Sequence, residues 1–447
     1  MFEGRTQKPV IQSDRCHSCD VCIRGCPAEF IPEYRRERKS LRGVLYGGKL
    51  LEKPLTGKVP LPPCQQACPI HQDARGYVTL ITKGRFKEAL ETIREVNPLP
   101  AVCGFVCHHP CEEACLREGV DHPIPIRLLK RFITEYGRSG GRIGRKGLKK
   151  RHEKVLVIGS GPAGLTAGND LSLLGFEVTI FEALPVLGGM LAVGIPEFRL
   201  PREILKSEID GIRELGVTMK TRHPFYLDGG YKSFRKLGFR AVFLSIGAQS
   251  SLRLNIEGRH LKGIHSGLEF LRDIHTGREV SIGERVIVVG GGNVAVDVSR
   301  SAERLGAKEV RMFCLESRKD IPAIHEEVEE ANREGIEIYF QVSPLRIIGK
   351  GGKATGMEFM RMGSKKGSTF VLFADTIIAA IGQRVDRKAL KGLDLNRDGT
   401  VQADPETGET SMKGVFAGGD VVTGPGWVID AIAAGKKGAD SIYRYLT

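Results

Sequence analysis

The amino-acid sequence predicts two α/β nucleotide-binding folds with parallel sheets, preceded by a small, mostly α-helical, cysteine-rich module. Three observations carry this reading. Two strand–loop–helix–strand patterns, opening at Lys154 and Glu284, each contain a glycine-rich turn. Ten of the 11 cysteines fall before residue 116. Between the cysteine groups, apolar residues recur at helical spacing.

The first element is "SDRCHSCDVCIRGCPAEF", in which Cys16, Cys19, Cys22 and Cys26 are spaced C-x2-C-x2-C-x3-C and followed by Pro27. Cys64 and Cys68 follow in "PPCQQACPIH", and then Cys103, Cys107, Cys111 and Cys115 at intervals of four. Disulfides, zinc and iron–sulfur clusters compete for such residues. Disulfides need an oxidising compartment, which nothing here indicates. Zinc sites rarely present three cysteines two residues apart and then C-P. A four-iron cluster fits better: closely spaced thiolates wrap one face of a cube, short loops turn N–H groups toward the sulfurs, and C-P ends the loop. Ten cysteines complete at most two all-cysteine clusters, so two [4Fe-4S] clusters are expected, with two cysteines spare. His17, His71, His108 and His109 lie nearby and are given no role. Tyr77, Leu80 and Ile81, then Phe86, Leu90 and Ile93, mark two helices, the second ended by Asn97-Pro98. Ile126, Leu129, Phe132 and Ile133 mark the inward face of a third.

At Lys154 the texture changes to "KVLVIGSGPAGLTAGNDLSLLGFEVTIFEA". A β-branched run meets Gly159-x-Gly161-x-x-Gly164, a helical pattern follows, and a second strand ends in Glu182, 18 positions after the third glycine. In this context the motif is specific for a dinucleotide. Gly159 permits the turn, Gly161 admits a pyrophosphate at a helix N-terminus, Gly164 lets helix and strand pack closely, and Glu182 holds a ribose. The pattern returns as "ERVIVVGGGNVAVDVSR", with Gly290, Gly292 and Ala295 in the three glycine positions and Asn293 between them. A flavin facing a hydride carrier is the economical pairing, because a flavin takes two electrons and releases them singly. Near the end, "FAGGDVVTGPGWVIDAI" sets Gly419 and Asp420 after a strand, with a helix from about Val428. Asp420 suits a flavin ribityl or phosphate group, which assigns FAD to the first fold and the nicotinamide to the second. A disulfide reductase would need a cysteine pair beside the flavin. After residue 115 there is only Cys314, read as a small buried hydrophobe.

Composition narrows the class. With 41% hydrophobic residues in 447, the chain can fill two or three cores. No apolar run approaches the ~18 residues of a membrane span, and the first residues are charged where a signal peptide is apolar. A cytoplasmic chain without membrane insertion is expected. The net charge is +14, but aromatics are 6% and no aromatic-interleaved basic face accompanies the charge, which argues against nucleic acid. The excess sits largely in "YRRERKSLR" and in Gly137–Lys154. The latter reads as a solvated linker, or as a docking surface for an acidic electron-carrier protein.

From about Pro63 onward, "CQQACP", "NPLPAVCGFVC", "GSGPAG", "GGMLAVGIPEFRLP", "GGGNVAVD", "AAIGQ" and "FAGGDVVTGP" resemble the small subunit of glutamate synthase and its relatives. These include the N-terminal portion of dihydropyrimidine dehydrogenase and NAD(P)H-oxidising subunits of anaerobic electron-transfer complexes. The resemblance implies that the nicotinamide domain is inserted in the FAD domain, with "AVFLSIGA" and "TIIAAIGQ" as crossing strands. It also implies that Gly188, Gly189 and Arg199 contact flavin. The expected organisation is a ferredoxin-like segment 1–48, a helical iron–sulfur domain 49–140, a basic linker 141–153, an FAD domain 154–250 plus 372–447, and an NAD(P)H domain 251–371.

Three positions depart from the family pattern. The family completes the cluster at Cys64 from an upstream C-x-x-C, which "LTGKVPLPPC" lacks. A ligand glutamine of some members is replaced near Lys130. Relatives place arginines after the second strand of the nicotinamide domain, whereas Glu316 stands here before Ser317 and Arg318; a carboxylate there favours NAD(H) over NADP(H). The opening cysteine run is similar to segments of heterodisulfide reductase-type subunits and supplies either missing ligands or its own cluster. The function implied is an NAD(P)H-oxidising flavin and iron–sulfur subunit serving a partner protein or ferredoxin. The rivals are a self-contained reductase of a small acceptor or metal ion, and a scaffolding subunit with vestigial sites.

Overall fold

The computed structural model describes residues 61–137, 150–226, 231–363 and 368–447. Cys16, Cys19, Cys22 and Cys26, and most of the basic linker, lie outside the described residues. The chain divides into two compact units on either side of residue 140.

The first unit is helical: α1 (Pro63–Gln66), α2 (Ala74–Thr82), α3 (Phe86–Arg94), α4 (Pro100–Val106), α5 (Pro110–Glu113) and α6 (Ile126–Tyr136). Proline opens α1, α4 and α5, where its fixed φ suits the first turn and its missing N–H is not needed. Asp73 caps α2 by accepting from the Gly76 N–H at 2.8 Å. After α3 the Asn97 side chain accepts from Leu99 N at 2.9 Å, turning the chain where Asn97-Pro98 was expected to end the helix. Ala74, Tyr77, Ala89, Leu90, Ile93, Ile126 and Ile133 form the core. The fully buried isoleucines Ile93 and Ile133 are each worth ~1.5–3 kcal/mol. The Tyr77 hydroxyl donates to the Ile126 carbonyl at 3.0 Å, so its burial leaves no orphan. A Cβ at Gly104 would stand 2.8 Å from the Arg131 Cα, so α4 and α6 approach at backbone distance. Phe132 is a correction: it does not face inward but is 44% exposed, against Phe86 and Tyr136.

The second unit holds two five-stranded parallel sheets. The first has the order β15-β4-β1-β2-β3, from β1 (Lys154–Ile158), β2 (Glu177–Phe181), β3 (Thr218–Lys220), β4 (Phe239–Leu244) and β15 (Val415–Ala417). The second has the order β6-β13-β7-β8-β9, from β6 (Ile264–Ser266), β7 (Arg285–Val289), β8 (Glu309–Phe313), β9 (Glu337–Tyr339) and β13 (Thr376–Ala379). Val155–Ile158 and Val286–Val289 are buried without alternation, as central strands covered on both faces require. An antiparallel sheet, β10 (Val342–Lys350), β11 (Lys353–Arg361) and β12 (Thr369–Phe373), adjoins the second lobe through stacked Phe313, Phe359 and Phe370. The helices of this unit are α7 (Pro162–Leu173), α8 (Met190–Val193), α9 (Arg202–Glu214), α10 (Tyr231–Lys236), α11 (Gly267–His275), α12 (Asn293–Arg304), α13 (His325–Arg333), α14 (Asp420–Thr423) and α15 (Val428–Leu446). No helix among the described residues is long and apolar enough to cross a membrane.

The insertion is present, with its crossing corrected. "AVFLSIGA" supplies β4 of the first sheet, but "TIIAAIGQ" supplies β13, which pairs with β6 and β7 of the second. The chain crosses instead at a two-stranded ribbon of β5 (Ser250–Ser251) and β14 (Gln383–Arg384). The return to the first lobe therefore comes after Gly382, not at 372.

Candidate functional site

The first cradle forms where β1 ends. Gly159 takes φ +101, open to glycine, and a Cβ there would meet the Ser245 carbonyl oxygen at 2.4 Å. A Cβ at Gly164 would lie 2.0 Å from the Gly159 carbonyl oxygen. At Gly161, which precedes α7, a Cβ would meet nothing within 4 Å. That open space before a helix N-terminus fits a pyrophosphate. Glu182, just after β2, is buried and accepts from Ser160 N (2.9 Å), Ser160 Oγ (2.6 Å) and Leu184 N (2.8 Å). Ser160 Oγ in turn accepts from Gly188 N at 3.0 Å, and a Cβ at Gly189 would lie 2.8 Å from Gly161 Cα. Glu182, Gly188 and Gly189 therefore close around one loop, and a lone pair on Glu182 Oε1 is left for a ribose hydroxyl.

Gly419 and Asp420 reach the same place from the far end of the chain. A Cβ at Gly419 would touch that of Ala163, in the first turn of α7. Burial pushes the Asp420 carboxyl up to about 6, against an opposing bond from the Gly426 backbone. Raised above its ordinary 3.8, the group contributes stability that is complete below that value and lost as pH rises through about 6. Asp420→Asn is therefore expected to gain thermal stability on the parent apoprotein across that window. A difference in Tm that is constant with pH would contradict it.

Arg199 is the last of the expected flavin contacts. Its guanidinium is buried between Asp297 and Glu327 of the second lobe, at 2.8 and 3.0 Å.

The second cradle repeats the first. Gly290 follows β7, and a Cβ there would meet the Ala380 carbonyl oxygen at 2.2 Å. Gly292, which precedes α12, again faces open space. Ala295 is fully buried where the first lobe has Gly164. Asn293 Oδ1 accepts from Ile324 N at 3.0 Å, holding the loop after β8. A Cβ at Gly291 would lie 2.6 Å from Glu316 Oε2, so this carboxylate rests on the glycine loop as Glu182 does on Ser160. Arg318 beside it is exposed.

In the helical unit Cys68, Cys103 and Cys107 are buried, Cys64, Cys111 and Cys115 are half-buried, and all are free thiols. They sort into neighbourhoods. Burial raises the Cys64 thiol, with Cys115 adding to it. Burial pushes Cys111 up to about 12, with Lys130 opposing and Cys107 and Cys68 adding. His109 N donates to Cys107 Sγ at 3.4 Å, the kind of bond expected around cluster sulfurs. The Lys130 ammonium is buried facing Cys103, Cys107, Cys68 and Cys111; burial lowers its pKa, whereas these sulfurs, once ionised, raise it above the ordinary lysine value. No three metal-binding side chains among the described residues stand close enough to share one ion. A four-iron cube does not require that, since each thiolate binds its own iron. Buried thiols around a buried cation fit an anionic cluster.

Residues 153–435 match the family described as pyridine nucleotide-disulphide oxidoreductase. The chain belongs to this family. Residues 58–141 match dihydropyrimidine dehydrogenase domain II, 4Fe-4S cluster. The chain is 41% identical to NADP(+)-dependent formate dehydrogenase subunit beta of Moorella thermoacetica, over 86% of this chain and 60% of that relative's length. It is 34% identical to NAD-dependent dihydropyrimidine dehydrogenase subunit PreT of Escherichia coli, over 86% of this chain and 91% of the other. FprA from Mycobacterium tuberculosis shares the fold over 66% of this chain and 85% of its own, with TM-score 0.56 and 19% identity. The chain thus carries a pyridine nucleotide-disulphide oxidoreductase region preceded in sequence by a 4Fe-4S cluster domain. The disulphide of the family's name has no counterpart here, since Cys314 alone follows Cys115. Cys314 is buried, and burial pushes its thiol up to about 11, far from a reactive thiolate.

Proposed function

We propose that the chain is an electron-input subunit that oxidises NAD(P)H in the second lobe, with FAD in the first and two four-iron clusters held by its N-terminal cysteines. The observation that carries this is the pair of open glycine cradles, at Gly161 and Gly292, in a chain whose separate N-terminal unit is rich in thiols and whose remainder has Cys314 as its one cysteine. When bound, the flavin converts a two-electron donor into single electrons suited to clusters. The residues bind and orient. Gly161 and α7 receive the flavin pyrophosphate, Glu182 the ribose, and Gly188, Gly189, Gly419 and Asp420 the rest of the cofactor. Gly290, Gly292, Asn293 and Ala295 receive the nicotinamide dinucleotide. No side chain is required as acid or base, so alignment supplies the rate. Cys64, Cys68, Cys103, Cys107, Cys111 and Cys115 ligate the clusters together with the opening run. The acceptor is a partner subunit or ferredoxin in the cytoplasm.

Anaerobic purification with iron, sulfide and flavin quantified, followed by addition of NADH or NADPH, tests this. About eight irons and one FAD, both chromophores bleaching, is the expected result. Bleached flavin with oxidised clusters would sink the electron path, and rapid turnover of a small acceptor by the isolated chain would favour the self-contained reductase.

Glu316 supports NADH, because its carboxylate faces the ribose side of the loop and repels a 2′-phosphate. Exposed Arg318 supports NADPH. Glu316→Gln is expected to raise the NADPH/NADH ratio of kcat/KM by about 10-fold, ~1.4 kcal/mol, and Arg318→Ala to lower it. Ratios unmoved by either variant would place the discriminating contact elsewhere.

A further inference from the structure

The Asn97 side chain, which turns the chain after α3, has a second end. Its Oδ1 accepts from Leu99 N at 2.9 Å, and this bond fixes which end of the amide is oxygen, since turned over it would set one N–H against another. The Cys103 thiol faces the same oxygen at 4.0 Å, so the amide lies beside a sulfur. The Nδ2 end, with two hydrogens to give, has no acceptor among the described residues, and the residue is 0% exposed. A buried donor in that position has given up its bonds to water for nothing in return, and native structures hold few of them. Gln72, 2% exposed in the same unit, is arranged the other way round. Its Nε2 donates to the Thr92 carbonyl at 3.3 Å, and the oxygen is the end without a partner. A spare oxygen offers nothing to an anion, whereas a spare N–H pair does. Cys103 is also one of the four sulfurs around the buried Lys130 ammonium, so the free donor and the cation share a neighbour.

We infer that the Asn97 amide donates to a sulfur of the four-iron cluster held beside Cys103 and thereby raises that cluster's reduction potential. This rests on the proposal that the thiols of the helical unit hold clusters. An N–H bond to a sulfide or thiolate offsets negative charge, and it strengthens when an electron is added, so the reduced state gains more than the oxidised one. The two ends of one side chain then do separate work: the oxygen sets the turn and the nitrogen sets the potential.

The test uses the full chain, purified anaerobically with its clusters, as parent, Asn97→Ser and Asn97→Leu. A serine hydroxyl accepts from an N–H two residues on, so Asn97→Ser keeps the turn and loses the amide hydrogens, while Asn97→Leu loses both. In an EPR-monitored redox titration each variant is expected to lower one cluster midpoint by about tenfold in the reduction equilibrium, ~59 mV for one electron. Asn97→Ser keeps the iron content of the parent. Asn97 is the one asparagine in residues 1–150, so asparagine labelled with 15N in its side chain gives a direct reading. Pulsed EPR of the reduced, labelled parent is expected to show a 15N coupling to a cluster, and labelled Asn97→Ser to lack it. A labelled parent without that coupling overturns the inference, as do midpoints unmoved in both variants; either result leaves Asn97 a turn residue and the cluster reading intact. If the variants lose iron, the coupling in the parent decides alone. A parent that binds no iron refutes the cluster reading itself, and the inference with it.

Discussion

Gly161→Ala is expected to yield a folded chain that purifies without flavin, whereas Gly164→Ala yields a destabilised one. The two glycines are three residues apart and fail for different reasons. At Gly161 an added methyl meets no protein atom within 4 Å, and φ of −68 suits alanine, so the apoprotein loses nothing. The methyl occupies the space a pyrophosphate needs, and FAD affinity should fall by about 100-fold or more, ~2.7 kcal/mol. At Gly164 the methyl would lie 2.0 Å from the Gly159 carbonyl oxygen and 2.7 Å from Ser245 Oγ. Backbone must move, at a cost of ~1–3 kcal/mol. FAD absorbance per chain and apoprotein Tm, measured on both variants, separate the two effects. Equal Tm losses would mean that the Gly161 cradle is a packing feature and not a phosphate site.

Lys130→Met is expected to stabilise the cluster-free helical unit and to make one cluster harder to reduce. Without metal, a buried ammonium among protonated thiols has no counter-charge, and a methionine of similar length removes its desolvation cost. With a cluster in place, the same cation stabilises the added electron. Loss of ~1–2 kcal/mol of that attraction corresponds to a midpoint shift of roughly 40–90 mV toward negative potential for a one-electron couple. An EPR-monitored redox titration reads it, with Lys130→Arg as the charge-preserving control. Identical midpoints in the parent and Lys130→Met would show that no cluster lies near this side chain.

The sequence made legible what is locally encoded. Gly159, Gly161, Glu182 and Gly290 were readable because a tight turn, an open approach and a strand-end carboxylate are requirements of one short stretch. Cys314 as a buried small side chain followed from its place in the strand pattern "VRMFCL". What failed depends on partners distant in sequence. "AVFLSIGA" and "TIIAAIGQ" are nearly the same apolar run before a glycine, and only pairing with β6 and β7 assigns the second to the other lobe. Arg199 carries no local sign of its partner, since Asp297 is 98 residues away. The available signal was Asp297 itself, an acid within the apolar run Val294–Val298 of α12. Lys130 stands near the position of a ligand glutamine in some relatives, but nothing local shows that its ammonium is buried against four thiols. Phe132 has helical spacing with Ile126 and Leu129, but Phe86 and Tyr136 give it an aromatic cover outside the core.

The β5–β14 ribbon has a consequence for modularity. Ser251 pairs with Gln383 and Ser250 with Arg384, and Leu252 N donates to the Gly382 carbonyl at 2.9 Å, so the two ends of the 130-residue excursion from 252 to 381 are neighbours. Joining them directly would need only a hairpin turn of two to five residues. The flavin lobe then closes over a short loop and escapes the closure entropy of the long one, a saving that grows as the logarithm of the length removed. The second lobe is thus a cassette: it can be excised to leave a minimal flavoprotein, or exchanged for one reading a different nucleotide, without redrawing the order of strands in the first sheet.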